Sequence, residues 1–193
     1  MTDTQRVDHC EVCIVGAGIA GLNALAATTR YLGPTDKVVL VDQRARVGGM
    51  WIDTYDYVRL HQPYQLLTAG NIKWTLGKER GHLASKPEIL DHLQHCIDVM
   101  SRRVDIDERF GWTYVSHDET DGAVRVTLQD PAGQTRVVEA QRLIKAFGFD
   151  VEPNPPLPVS SNHVRSTTPN DLGRVIDSDA PVWIIGGGKT GLD

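Results

Sequence analysis

Three features are scarce in this 193-residue sequence: positive charge, long apolar runs and cysteine. The 20 lysines and arginines are outnumbered by 25 acidic residues, so the formal net charge is −5. That balance gives no support to nucleic-acid binding, which favours basic surfaces. No apolar run is long enough to span a bilayer, and residues 1–6 have no signal-peptide character. We therefore expect a cytoplasmic protein without nucleic-acid or membrane partners.

The three cysteines are Cys10, Cys13 and Cys96, and the first two form a CxxC motif. This spacing is compatible with redox or zinc chemistry. The pair lies on a predicted strand, however, where the two side chains should point to opposite faces, and no second CxxC follows. We therefore interpret these residues as buried, unpaired strand cysteines.

A glycine-rich motif follows the first apolar run of the chain. Residues 12–15 predict a strand buried on both faces, and Gly16, Gly18 and Gly21 then give the spacing GxGxxG. The first glycine permits a sharp turn, the second lets the backbone approach a pyrophosphate, and the third lets a helix pack close to the sheet. The helix N-terminus offers unpaired N–H groups and a positive dipole end to phosphates.

A second apolar run, residues 38–41, ends in Asp42, about twenty residues beyond the glycine turn. An acidic residue at this place can bind a pair of ribose hydroxyls. A helix is predicted over about residues 20–32, with Gly33 and Pro34 ending it. Because strand, turn, helix and acid agree, we predict a dinucleotide-binding βαβ unit.

The residues after Asp42 carry a family resemblance. Gly48-Gly49-Met50-Trp51 comes first, and residues 55–63 then read Tyr-Asp-Tyr-Val-Arg-Leu-His-Gln-Pro. With these motifs the sequence resembles the flavin-containing monooxygenases and their Baeyer–Villiger relatives, over most of its length. The resemblance implies that His61 and Gln62 lie close to a flavin. His163 lacks the Phe-x-Gly of the Baeyer–Villiger fingerprint before it, which argues against a standard member of that branch.

The glycine spacing recurs in Gly186, Gly188 and Gly191, after the apolar residues 182–185. This is an internal repeat of the opening element, and in the family the second motif binds NADPH. The helix and strand that should follow lie beyond the last residue. We therefore expect the N-terminal portion of a longer enzyme, in which residues 182–185 are frayed or misplaced.

Between the two glycine motifs we predict a helix and several strands. Ser85 and Glu88 have the spacing of a capping box, and the helix should run to about Met100. His92, His95 and Cys96 could gather a metal ion, but we favour a packing role because Cys96 lies on the apolar face. That face is formed by Ile89, Leu93, Cys96, Ile97 and Met100.

Residues 109–116, 123–129 and 135–138 predict three strands of an inserted β-meander, and residues 143–150 predict a buried strand. Where the family has Ala-Thr-Gly, this chain has Ala146, Phe147 and Gly148. A Pro-rich, extended linker follows.

The resemblance thus implies an α/β, Rossmann-like two-dinucleotide flavoprotein fold, whose second domain is truncated at its first turn. We expect an FAD-binding domain over residues 1–160, a linker over 161–180 and the start of an NAD(P)-binding domain over 181–193. The cofactor-binding residues would be Gly16, Ala17, Gly18, Ile19, Gly21, Asp42, Gln43, Gly49, Met50, Trp51, His61, Gln62, Phe110, Gly148, Gly186, Gly188, Lys189, Thr190 and Gly191.

The implied activity is that of an NADPH-dependent monooxygenase. In this family NADPH reduces FAD, and a C4a-(hydro)peroxyflavin passes one oxygen atom of O₂ to a small organic substrate. One alternative is a non-catalytic FAD-binding fragment whose partner is the missing C-terminal portion. Another is a disulfide reductase, which also has two dinucleotide motifs but needs a redox cysteine pair at the flavin. Cys10 and Cys13 lie on the wrong element for that role.

Overall fold

The computed structural model describes residues 7–148, 154–175 and 181–192. Six strands form one sheet, namely β1 (Val7–Val15), β2 (Lys37–Asp42), β3 (Asp105–Phe110), β4 (Thr113–Thr120), β5 (Ala123–Gln129) and β6 (Thr135–Lys145). The α-helices are α1 (Ile19–Thr28), α2 (Met50–Asp53), α3 (Lys86–Met100), α4 (Leu172–Val175) and α5 (Lys189–Leu192). Short 3₁₀ helices span Tyr64–Leu66 and Pro169–Asp171. Within these described residues, no helix is long and apolar enough to cross a membrane.

The strand order is β3-β2-β1-β6-β5-β4. The first four of these strands pair in parallel, whereas β6, β5 and β4 pair antiparallel. Because the parallel strands point the same way, their carboxyl ends meet along one edge of the sheet, which we call the carboxyl edge. In open α/β sheets this edge is where ligands bind.

Each face of the parallel strands packs against a different layer. Val12, Ile14, Val38 and Leu40 pack with α1 and α3 in a first core. The alternate residues of the same strands pack in a second core against β5 and β6. Since successive strand residues point to opposite faces, a strand buried on both sides needs a continuous apolar run. The sequence of β1 and β2 has that run, and the predicted α/β fold is confirmed.

Several predicted strand boundaries were wrong. The first strand was predicted over residues 12–15, but β1 begins five residues earlier, at Val7. The strand expected over residues 109–116 is two strands, because Gly111 turns the chain with φ +78°. Its N–H donates to Arg44 O, and Trp112 N–H donates to Asp42 O. Thus β3 belongs to the parallel sheet and only β4 opens the meander.

The last strand of the meander and the buried strand after it are also one element. Strand β6 is antiparallel to β5 in its first half and parallel to β1 along its length. The predicted strand end at Phe149 and Asp150, residues 176–180 of the expected linker and Asp193 lie outside the described residues.

Helix α1 ends earlier than predicted, at Thr28 instead of Leu32. The Thr28 hydroxyl donates to Ala24 O at 2.9 Å, and the Thr29 hydroxyl donates to Ala26 O at 2.9 Å. Such bonds to backbone carbonyls compete with helix continuation. Two consecutive threonines therefore end the helix before Gly33 is reached.

Helix α3 begins as predicted, with Ser85 as its N-cap. Glu88 Oε2 accepts the Ser85 N–H at 2.8 Å and lies 2.9 Å from His82 Nε2. Partial burial raises the pKa of the Glu88 carboxyl, but hydrogen bonds from Ser85 and His82 outweigh burial and lower it to about 2. The predicted apolar face of α3 is buried throughout.

Replacing Glu88 by glutamine is expected to reduce the free energy of unfolding by about 1 kcal/mol near neutral pH. Because the folded pKa lies below the ordinary carboxyl value, this stabilisation is complete above about pH 5 and is lost as the pH falls toward about 2. Urea unfolding at about pH 6 and about pH 3 measures the difference between the two proteins. An equal difference in the free energy of unfolding at both pH values would contradict the lowered pKa of Glu88.

Near the end of the chain, residues 181–187 are outside any strand. Val182, Trp183, Ile184 and Ile185 are all exposed, with Trp183 at 89%. This agrees with the expectation of a frayed segment, since an apolar strand needs covering layers to stay ordered.

Candidate functional site

The first glycine motif turns at the carboxyl edge, directly after β1. Gly16 has φ +109°, and a Cβ there would lie 2.2 Å from Ala146 O. A Cβ on Gly21 would lie 1.7 Å from Gly16 O. Both positions therefore exclude any other residue, because backbone atoms occupy the space.

Gly18 differs from the other two glycines. Its φ of −83° is open to any residue, and the nearest heavy atom to an added Cβ is Gly49 Cα at 3.4 Å. It is the N-cap of α1, whose next residue is Ile19, and Leu22 N–H donates to Gly18 O. The first N–H groups of a helix have no partner within it. The space above Gly18 is thus suited to an anion.

Asp42 ends β2 beside this turn and is buried. Its Oδ2 accepts the Ala17 N–H at 2.7 Å, and its Oδ1 accepts the Arg44 N–H at 2.9 Å. The carboxylate therefore fixes the glycine turn, and its role as a ribose ligand stays a prediction. The neighbouring Gln43 is exposed.

The Gly48-Gly49 pair packs against the glycine turn. Gly48 N–H donates to Ala17 O at 3.0 Å, and a Cβ on Gly49 would lie 2.8 Å from Gly18 Cα. The two backbones thus touch, and only glycine fits at position 49. Beyond the pair, Met50 is 69% exposed and Trp51 is packed against the first core.

An ion pair that sequence reasoning missed braces this region. The Arg44 guanidinium contacts the Asp53 carboxylate, and it lies 3.7 Å from Asp42 Oδ1. The hydrogen bond to Asp53 raises the pKa of Arg44. The nine-residue separation of the pair gave no signal in the sequence, because it depends on how residues 43–53 fold back.

Residues from two other strands complete the edge. Phe110 is the register partner of Asp42 at the end of β3 and packs against the first core. Ala146 N–H donates to Val15 O at 2.7 Å, and Gly148 has φ +73°. Phe147, which replaces the family's threonine, is exposed with its ring 5.2 Å from that of Tyr114.

The loop with His61 and Gln62 is anchored to the chain just before α3. Leu60 is buried, and its N–H donates to Ala84 O at 2.9 Å. His61 itself is exposed and Gln62 is half-buried. Within the described residues, no hydrogen bond joins either side chain to the glycine turn, so their proximity to a flavin stays a prediction.

The second glycine motif repeats the backbone geometry of the first. Gly186 has φ +129°, and a Cβ on Gly191 would lie 3.0 Å from Gly186 O. Gly191 N–H donates to Gly188 O, and helix α5 begins at Lys189. Gly188 and Thr190 are exposed.

Four of the candidate redox and metal residues, namely Cys10, Cys13, His92 and Cys96, are buried. Cys10 and Cys13 are buried in the same core, although they were expected on opposite strand faces. Burial raises the pKa of their thiols to about 11 and about 12, which disfavours the reactive thiolate. The ring of His92 stacks on that of Trp74, with 3.9 Å between the ring centroids, and burial lowers the pKa of His92 to about 4. No group suited to metal binding exists among the described residues.

Comparison with known proteins agrees with the α/β fold described above. The family model described as pyridine nucleotide-disulphide oxidoreductase matches residues 10–193. The chain belongs to this family. The matched residues include both glycine motifs and nearly all of the sheet between them.

The chain is similar to parts of several longer proteins. The chain is 28% identical over 145 residues to the FAD-containing monooxygenase EthA of Mycolicibacterium smegmatis, covering 74% of this chain and 28% of that protein. A flavin-containing monooxygenase from Stenotrophomonas maltophilia has TM-score 0.58 and 19% identity, covering 73% of this chain and 39% of its own. The bacillithiol disulfide reductase of Bacillus cereus has TM-score 0.56 and 15% identity, covering 72% and 39%.

The chain therefore spans well under half the length of these proteins. The resemblance to flavin monooxygenases is confirmed, and the fold is shared by monooxygenases and disulfide reductases. Fold alone does not choose between these two chemistries.

Proposed function

We propose that this chain is the FAD-binding portion of an NADPH-dependent flavin monooxygenase. The observation that carries the proposal is the contact between the two glycine backbones, Gly18 and Gly49, at the N-terminus of α1. This arrangement places two glycine backbones beside the first N–H groups of α1, which have no partner within the helix. A pyrophosphate fits at this place, because it needs close backbone approach and a positive dipole end.

The residues of the carboxyl edge would divide the work of holding FAD. Ala17, Gly18 and Ile19 would face the pyrophosphate, together with Gly49. Asp42 would accept the ribose hydroxyls, since an ionised carboxylate has about four acceptor sites and, in the described part of the chain, only two backbone N–H groups occupy them at hydrogen-bond distance. Gln43 and Phe110 would lie near the adenosine.

The flavin end is assigned by resemblance, to Met50, Trp51, His61, Gln62 and Gly148. When bound, the FAD would accept a hydride from NADPH and use O₂ to oxygenate a small organic substrate. The chain's own part is to bind the nucleotide, orient it and shield its inner side with the first core. Gly186, Gly188, Lys189, Thr190 and Gly191 would contribute the start of the NADPH site.

A pair of alanine substitutions tests FAD binding apart from folding. Gly18→Ala should leave the fold intact, because its Cβ meets only ordinary contacts, but it should place a methyl group where the phosphate would lie. We expect at least about a tenfold loss of FAD affinity. Gly81→Ala is the matched control, since nothing lies within 4 Å of its Cβ. The visible flavin spectrum after desalting measures retention. Equal FAD retention by both variants would overturn the proposed site.

Oxidation of NADPH under air separates the catalytic reading from the alternative of an FAD-binding fragment. Steady NADPH consumption by the FAD-loaded chain would exclude the fragment. Retained FAD without consumption would favour it, in line with a chain that spans 28% of its curated relative. The disulfide reductase alternative is weaker, because all three cysteines are buried.

A further inference from the structure

A second cleft lies at the opposite end of the sheet from the glycine turn. Helices α1 and α3 each lead back to the start of the next parallel strand, so their C-terminal ends lie at the amino edge. Asp105 N–H donates to Asp36 O at 3.1 Å, which joins the two connections there. The cleft, which we call the distal cleft, has a volume of about 520 Å³, within the range of small-molecule sites.

Every charged side chain that lines the distal cleft is a cation. Arg30 follows α1, Arg103 follows α3, and Lys73 lies on the loop between them, with His95 as a fourth basic group. All three permanent cations are exposed, and none is in an ion pair with any described residue. In a chain of net charge −5 this local excess of positive charge is distinctive. Favourable interaction with the helix dipoles accounts for Arg30 and Arg103 but not for Lys73.

The floor of the distal cleft is apolar and held in place. Ile72, Trp74, Val99 and Met100 line it. Trp74 is fixed from two sides: its indole N–H donates to Leu67 O at 2.7 Å, and its ring stacks on buried His92.

The loop that carries Lys73 is held just as closely. Gly70 has φ +61°, and its Cβ would lie 2.4 Å from Ala26 Cβ on α1. Its N–H also donates to Asn23 Oδ1 at 3.2 Å. Asn71 follows with φ +59°, a conformation that non-glycine residues seldom adopt. The cleft is therefore largely preformed.

We propose that the distal cleft binds a small aromatic anion, a flat ring that carries a carboxylate or a phosphate. The ring would pack on the apolar floor around Trp74, and the acid group would lie among Arg30, Lys73 and Arg103. Arginine suits both groups because its planar fork can bind two oxygens at once. This proposal does not depend on flavin binding, since it uses other residues at the other edge of the sheet.

Calorimetric titration with phenyl phosphate, 3-phenylpropionate and the neutral 3-phenylpropanol tests the proposal. We expect the anions to bind and the alcohol to bind at least about fivefold more weakly. Together, Lys73→Gln and Arg103→Gln should lower the affinity for the anions about tenfold. Tighter binding of phenyl phosphate would assign the site to phosphate esters, and tighter binding of 3-phenylpropionate would assign it to carboxylic acids.

Two controls keep the test specific. Arg102→Gln removes the same charge from an exposed neighbour that does not line the cleft, so it should retain binding. Gly18→Ala should also retain it, because the nucleotide edge is not involved. No heat with either anion, equal affinity for the alcohol, or an equal loss in Arg102→Gln or Gly18→Ala would overturn the proposal.

Discussion

Replacing Gly21 by alanine should destabilise the chain by about 3 kcal/mol or more and abolish retention of FAD. The added Cβ would lie 1.7 Å from Gly16 O and 2.9 Å from Gly16 C. Both are backbone atoms, so no side-chain rotation can relieve the clash. Helix α1 would have to move away from β1, and the glycine turn would move with it. A loss of this size is a large fraction of the stability of an ordinary domain.

Two further alanine substitutions calibrate this result. Gly191→Ala places its Cβ 3.0 Å from Gly186 O, the equivalent contact of the second motif, and should cost far less. Gly81→Ala meets nothing within 4 Å and should unfold at the temperature of the unmodified chain. Thermal unfolding followed by circular dichroism ranks the three variants. If Gly21→Ala unfolds at the same temperature as Gly81→Ala, the close approach of helix and strand is contradicted.

The first glycine motif could be predicted from the sequence because its glycines have separate, local roles. Gly16 is needed for a turn and Gly21 for a helix contact, and Gly18 is predicted to be needed for a ligand; these needs recur wherever a strand leads into such a helix. The capping box at Ser85 and Glu88 is local in the same way. Both motifs were therefore predicted correctly, but the end of α1 was not, although it is set by equally local bonds from Thr28 and Thr29.

Other predictions failed because the outcome depends on residues distant in the sequence. Gly111 is one of many loop glycines in the sequence, and only its bond to Arg44 O shows that β3 ends there. Residues 135–138 and 143–150 were predicted as two strands, because the pairing of one strand with antiparallel β5 on one side and with parallel β1 on the other leaves no mark on the residue pattern. Likewise, Asp42 was predicted as a ribose ligand, whereas the hydrogen bond that it accepts from the Ala17 N–H became visible only in three dimensions.

Arg109 is the strongest case of a long-range interaction that the sequence concealed. It is 8% exposed, and its Nη2 donates to Asp8 and to Asp107, each at 2.8 Å. Asp8 is on β1 and Asp107 on β3, so the guanidinium bridges two strands across β2. The guanidinium carbon Cζ also lies 5.0 Å from the centroid of the Trp112 ring. Burial lowers the pKa of Arg109, but the two aspartates outweigh burial and raise it.

We expect Arg109→Met to destabilise the chain by about 2 kcal/mol, measured by urea unfolding. The reason is that methionine fills the space but leaves two carboxylates facing each other without a cation. The loss falls below that of a fully buried pair, because the Asp8 and Asp107 side chains are 35% and 30% exposed and water can solvate them. Arg125→Met, on the exposed face of β5, should cost about 0.5 kcal/mol or less.

A triple variant distinguishes loss of the cation from loss of packing. Adding Asp8→Asn and Asp107→Asn to Arg109→Met removes the uncompensated charges, so most of the lost stability should return. If it does not return, the contribution of Arg109 comes from its contact with Trp112 and the methylene groups of its side chain. If Arg109→Met behaves like Arg125→Met, the bridge across β2 contributes nothing, and the pairing of β1, β2 and β3 is sufficient to hold the carboxyl edge in register.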